Sequence, residues 1–170
     1  MTVRDHTPGL DRLAETLGAE RRVVEYLLYK LVAAKLLLAA DEHRFVPPAL
    51  EEVERVLAAL REAEAQRVDA LAATAREWAV AVGDLSLAEL VRHAPEPVAS
   101  VLRAHEHAFR NLAEEIEKTA ADNRRLATSA LTHVQRALDA LTGPTVGATY
   151  TASGHHHAAL PRPTRLDSVL

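Results

Sequence analysis

Histidine is the side chain of this sequence best suited to chemistry, and nine are present. Three stand together at His155-His156-His157, and two flank a carboxylate at His105-Glu106-His107. Adjacent imidazoles can capture nickel or zinc weakly, but a metal site needs fixed geometry and neighbours that orient its ligands. The first tract lies in a stretch without periodicity, so no fixed geometry is expected there. The second lacks the i, i+4 spacing that sets two His on one helix face. His105 falls on an apolar stripe, with His107 off it and His133 near it. His105 therefore reads as a partly buried structural residue. Cysteine is absent, which excludes disulfides, thiolate nucleophiles and Cys-based zinc or iron–sulfur sites. No glycine-rich phosphate loop and no Gly-x-Ser-x-Gly occurs, and the carboxylates follow outward helix faces. The expectation is a protein without catalytic residues, cofactor or metal.

What remains is the spacing of apolar residues. Leu10, Leu17, Val24, Leu31 and Leu38 recur every seven positions, and Leu13, Leu27 and Ala34 fall three later. This is a heptad stripe, the pattern of a long helix packed on other long helices. Near the other end, Val98, Leu102, His105, Phe109, Leu112, Ile116, Thr119, Asn123, Leu126, Ala130, Val134, Ala137 and Leu141 alternate at four and three. Asn123 is the polar residue on this stripe, and such a residue fixes register at some loss of stability.

These stripes require four helices. Hydrophobic residues make up 48% of the 170, yet aromatics only 4%. Ala and Leu dominate, and both lose little side-chain freedom in a helix. The fold class is all-α: an antiparallel bundle of three long helices plus one short helix. The first helix is expected over about 8–40, with a possible break at Gly18. Asp41 to Pro48 reads as a turn, because Pro47 and Pro48 cannot continue a helix but can start one. The second helix is expected over about 48–82. Glu64 and Arg67 stand at stripe positions there and read as a solvated stretch. Gly83-Asp84 makes a turn. A short helix follows at 86–93, capped by Ser86 or Asp84, with Glu89 at capping-box spacing. The last helix is expected over about 97–141, ended by Gly143-Pro144. At 1.5 Å per residue it would be about 65 Å long. A domain of this mass is about half as wide, so part of the helix should project or pack on one side only. Residues 143–170 have no periodicity and are expected to be disordered. The domain division is thus 1–142 and a tail, 143–170.

Net charge is −4, and no stretch is strongly basic. Duplex binding needs clustered Lys and Arg, so nucleic acid is not an expected partner. No run of 18 apolar residues exists to cross a membrane, and the first residues lack the apolar core of a signal peptide. A cytosolic protein is expected. A winged-helix DNA-binding regulator stays open as an alternative, with Leu13 to Gly18 as its second helix and Val23 to Leu38 as the recognition helix. Glu20 and Glu25 beside Arg21 and Arg22 would repel phosphate, and no wing follows beyond Arg44-Phe45-Val46. A structural coiled coil is a further alternative.

Read in order, several stretches resemble the FlgN-type flagellar export chaperones, in the form seen in high-GC Gram-positive bacteria. They are Glu20-Arg21-Arg22-Val23-Val24-Glu25-Tyr26-Leu27-Leu28-Tyr29-Lys30-Leu31, Leu36 to Ala40, and Arg44-Phe45-Val46. Glu52 to Leu57, Leu60 to Glu64 and Ser86-Leu87-Ala88-Glu89-Leu90 follow. Glu114-Glu115-Ile116, Asn123-Arg124-Arg125-Leu126 and Ser129 fit the last helix, and Thr149-Tyr150 with Gly154 the element after it. The order and spacing over roughly residues 10–154 carry the likeness. Thr128 departs from it, standing where the family often has an apolar residue, and the His/Pro/Arg extension after Gly154 is peculiar to this chain.

The resemblance implies a cytosolic chaperone. It would bind C-terminal amphipathic segments of hook–filament junction proteins, prevent premature assembly and deliver them to the cytoplasmic domain of the flagellar export gate. An amphipathic helix binds by laying its apolar stripe into a groove. The last helix, about 98–142, is the expected client-binding part, and Leu126, Ala130, Leu131, Val134, Leu138 and Leu141 are the expected contacts. The alternative is that these six pack only on the first two helices. By resemblance Tyr150 docks on the export gate; otherwise it folds back on the bundle.

Overall fold

In a computed structural model of the chain, residues 8–142 are described, and 143–170, with Tyr150 and the three-His tract, lie outside them. The order is α1 (Pro8–Ala39), a short 3-10 turn (His43–Phe45), α2 (Val46–Glu77), a second 3-10 turn (Val82–Asp84), α3 (Leu87–His93) and α4 (Val98–Thr142). No strand occurs among the described residues. The expected three long helices and one short helix are all present. The expected disorder of the tail falls outside the described residues.

The chain divides into two compact units, residues 1–131 and 132–170. In the first, α1 and α2 make the closest backbone approach. Their side-chain partners run in opposite directions, Gly9 with Glu77, Glu20 with Arg67 and Lys30 with Glu52. The pair is therefore antiparallel. On α4, His105 lies by Gly18 and Asn123 bonds Leu31, so α4 runs parallel to α1.

Local chemistry explains most boundaries. Pro stands in the first turn of α2, where its missing N–H is not needed. Ser86 Oγ caps α3 by accepting from the Glu89 N–H at 3.1 Å. Two helices end on a left-handed residue that is not glycine. After α1, Asp41 takes φ 61°, and the N–H groups of Asp41 and Glu42 return to the carbonyls of Leu38 (3.3 Å) and Leu37 (3.0 Å). After α2, Ala79 takes φ 52°, and the N–H groups of Ala79 and Val80 return to Arg76 (3.1 Å) and Ala75 (3.0 Å). Both are Schellman closures. The second ends α2 at Glu77, short of the expected Val82. Burial of Trp78 in the core turns the chain there, and no glycine or proline marks the place.

The possible break at Gly18 does not occur: α1 is one continuous helix. Gly18 lies mid-helix beside the His105 ring, which stands 3.6 Å from where a Cβ would be, an ordinary contact distance, so it marks no turn. This removes the helix-turn-helix reading of Leu13 to Leu38. The segment proposed as the start of a wing forms a 3-10 turn and the first residue of α2.

The core has two apolar clusters. Leu10, Leu13 and Leu17 of α1 meet Ala70 and Trp78, Leu90 of α3, and Ala94, Val98, Ala99 and Leu102. Further along, Leu27, Val53 and Val56 pack with Val23, Leu31, Leu57, Leu60 and Ile116. Between them lies a polar layer. Arg67 Nε stands 2.8 Å from Oε2 of the buried Glu20, and His105 is buried at the same level. Glu64 is exposed, as expected. Arg67 corrects the reading of a solvated stretch, because its guanidinium reaches across to neutralise a carboxylate on the neighbouring helix.

Candidate functional site

The stripe of α4 changes character along the helix. Val98, Leu102, His105 and Thr119 are buried, whereas Phe109, Leu112, Ile116, Asn123, Leu126 and Ala130 are half-buried. Among the last described residues, all side chains from 131 to 141 are exposed. Leu131 is 70% exposed, Val134 47%, Leu138 49% and Leu141 65%. Of the six expected contacts, Leu126 and Ala130 are thus half-buried, and the other four are largely exposed to solvent. An exposed run of large aliphatic side chains at helical spacing is unusual on a monomer and fits a surface that a partner covers.

The buried half of α4 is tied down by polar contacts. Asn123 Nδ2 donates to the Leu31 carbonyl oxygen at 2.9 Å, which sets the register of α4 against α1. One residue earlier, Asp122 accepts from Arg125 (3.2 Å) and faces Lys35 Nζ at 3.6 Å. The Arg125 bond, aided by Lys35, holds the Asp122 carboxyl below the usual range. Thr128, the departure from the family pattern, returns its hydroxyl to the Arg124 carbonyl at 2.9 Å, so its polarity is directed back to its own helix.

In the polar layer, burial pushes the Glu20 carboxyl up, opposed by Arg67. Burial pushes His105 down, helped by the positive charge of Arg21. His105 Nδ1 is buried without a hydrogen-bond partner, and the ring tilts against Phe109 at 6.5 Å. These are the properties of a neutral structural histidine. His107 and His133 are exposed. No group of three or more His, Asp or Glu able to hold a metal occurs among the described residues.

A second surface was not expected from the sequence. Between α1 and α2 runs a groove of about 820 Å³ lined by Ala19, Arg22, Val23, Tyr26, Lys30, Glu52, Arg55, Val56 and Ala59. Tyr26 and Tyr29 stack at 5.9 Å, and Lys30 Nζ stands 5.0 and 5.3 Å from their ring centroids. Lys30 also bonds Glu52 across the groove. That bond raises the Lys30 ammonium and lowers the Glu52 carboxyl. The sequence signal was available: Val23, Tyr26 and Lys30 form a stripe beside the one through Val24 and Leu31. It was obscured because aromatic and basic residues on a helix also suit a solvated face.

Among the described residues, no helix is long and apolar enough to cross a membrane. Residues 1–158 match the model of a protein family described as FlgN protein. No curated protein and no solved structure matches the chain.

Proposed function

The chain belongs to the FlgN family of flagellar export chaperones, and from that premise we propose that it holds the C-terminal amphipathic segments of hook–filament junction proteins in the cytosol. It keeps these segments from assembling early and delivers them to the export gate. Client contact falls to Leu126, Ala130 and Leu131 in the first unit and to Val134, Leu138 and Leu141 in the second. The observation that carries this reading is the exposure of Leu131, Val134, Leu138 and Leu141. Residues 1–142 then act as the chaperone domain, with about 98–142 engaging the client.

The energetics are adequate. Burying one Leu contributes roughly 1.5–3 kcal/mol. Three or four such anchors, less the ordering entropy of the client, correspond to about micromolar binding or tighter. The small Ala130 lets a client helix approach closely. Tyr150 is the export-gate anchor in this reading, supported by the resemblance of Thr149-Tyr150 and Gly154 to the family's post-helical element.

Calorimetric titration of the chain with the C-terminal segment of a hook–filament junction protein tests the proposal. Saturable binding at about micromolar affinity or better is expected. A folded chain that gives neither heat nor a complex overturns it.

A further inference from the structure

The groove between α1 and α2 shares no residue with the exposed end of α4 and plays no part in the function proposed above. Its floor is apolar and small: Ala19 and Val23 from α1, Val56 and Ala59 from α2. Small floor residues let another helix come within the usual 8–10 Å of its neighbours. No α4 residue lines the groove. Val23 and Val56 turn their other sides to the cluster that α4 closes through Ile116. A helix laid here would convert three long helices into a four-helix arrangement. From Ala19 to Lys30 the floor runs about three helical turns at 1.5 Å per residue.

The walls state the charge of the occupant. Lys30 is neutralised by Glu52 at one end. Arg22 on α1 and Arg55 on α2 are exposed and have no ion-pair partner among the described residues. Two guanidinium groups without a close ion pair thus flank an apolar floor, one from each wall, with Arg55 acting on Glu52 at longer range. A second copy docking through the same groove would bring in a second Arg22 and Arg55, adding positive charge to a contact whose lining carboxylate, Glu52, already faces Lys30. The chain's own segment 143–170 carries Arg162 and Arg165 against Asp167, the wrong balance for this site.

We propose that the α1–α2 groove docks an amphipathic helix of about three turns from another protein, with apolar anchors on one face and carboxylates on both flanks. Val23, Tyr26 and Ala59 take the anchors, and Arg22 and Arg55 take the carboxylates.

The test uses the full chain and two helical peptides of about four turns. Both carry Leu at i, i+3, i+4 and i+7; one has Glu on the flanks, its twin Lys. The Glu peptide is expected to bind at least about tenfold more tightly than the twin at low salt, with the difference shrinking as salt rises. Its addition should shift the methyl resonances of Val23, Val56 and Ala59. The Arg22→Glu/Arg55→Glu double variant, changed only at exposed positions, should reverse the preference while its circular dichroism stays unchanged. Equal affinity for both peptides overturns the proposal, as do shifts confined to Leu131, Val134, Leu138 and Leu141. A spin label on Ser153→Cys, the one cysteine in the labelled chain, that broadens Val23 and Val56 without peptide assigns the groove to the chain's own segment. A sedimenting dimer abolished by Ala59→Glu assigns it to a second copy. Either result also overturns it.

Discussion

The carboxylate of Glu77, the last residue of α2, accepts the backbone N–H of Gly9, the second residue of α1, through Oε1 at 3.2 Å and Oε2 at 3.1 Å. The start of one helix is thus capped by the end of its neighbour, with a negative charge at a positive helix terminus. Gly9 lets the carboxylate sit this close, since a Cβ there would stand 2.7 Å from Oε2 and the end of the Glu77 side chain would have to shift.

Glu77→Ala should therefore lower stability by about 1 kcal/mol, as loss of an N-terminal cap does. Glu77→Gln should fall between the two, since it keeps an acceptor but not the charge. Urea melts at low salt measure it. Equal midpoints for all three proteins would show that the cap contributes nothing.

The Glu20–Arg67 pair should behave as a buried carboxylate with a partly exposed partner. Arg67→Ala leaves Glu20 buried and unpaired, and a loss of about 2 kcal/mol is expected, below the range for fully buried pairs because Arg67 is one-third exposed. The Glu20→Leu/Arg67→Leu double variant should recover most of that loss. The deficit of Arg67→Ala should shrink in acid. The folded pKa of Glu20 is raised, so its contribution is complete below the unfolded value of about 4.5 and is lost as pH rises through the folded one. Denaturation at pH 7 and at pH 4 measures both; a deficit independent of pH would remove Glu20 as its source.

His105 should act in the opposite sense. Its folded pKa is depressed, so its contribution is present above the unfolded value of about 6.5 and is lost as pH falls through the folded one. His105→Gln, which cannot titrate, should lose less stability than the parent between pH 7.5 and pH 5. Parallel thermal melts at the two pH values decide it; identical losses would sink the assignment.

Ala79 holds φ 52°, where a Cβ is unfavourable by roughly 1–2 kcal/mol. Ala79→Gly should raise stability by about 0.5–1 kcal/mol, the relief of strain exceeding the added freedom of the unfolded chain. A lower melting temperature would show that the Schellman closure after α2 is not strained.

Leu131→Asp and Leu141→Asp, both at strongly exposed positions, should weaken client binding at least about tenfold with helicity and melting unchanged. Tyr150→Ala should leave client affinity intact and reduce client secretion. If the aspartate variants also unfold early, those leucines support the fold instead.

The helices were legible because their causes are local. Heptad leucines, the Pro47-Pro48 start of α2 and the Ser86 cap each act within a few residues, and α1, α3 and α4 lie within a residue or two of the positions expected. The family likeness was legible for the same reason, as an order of helical stretches. Gly18 and Arg67 were misread because each is explained by a residue distant in sequence. Gly18 sits against the His105 ring inside a packed helix, and Arg67 answers to the Glu20 carboxylate. The end of α2 at Trp78 likewise follows from burial of an indole, which no nearby glycine announces.

For the candidate surfaces, spacing along the chain determined which side chains share a helix face. It named Leu126, Ala130, Leu131, Val134, Leu138 and Leu141 as one stripe. Only the tertiary structure decided that coverage of that stripe ends at Ala130, that Asn123 meets the Leu31 carbonyl, and that Val23 and Val56 border an open groove. Helical periodicity reports the direction of a side chain about its own axis. Whether another helix covers that direction depends on the register and separation of neighbours, which packing between distant segments alone establishes.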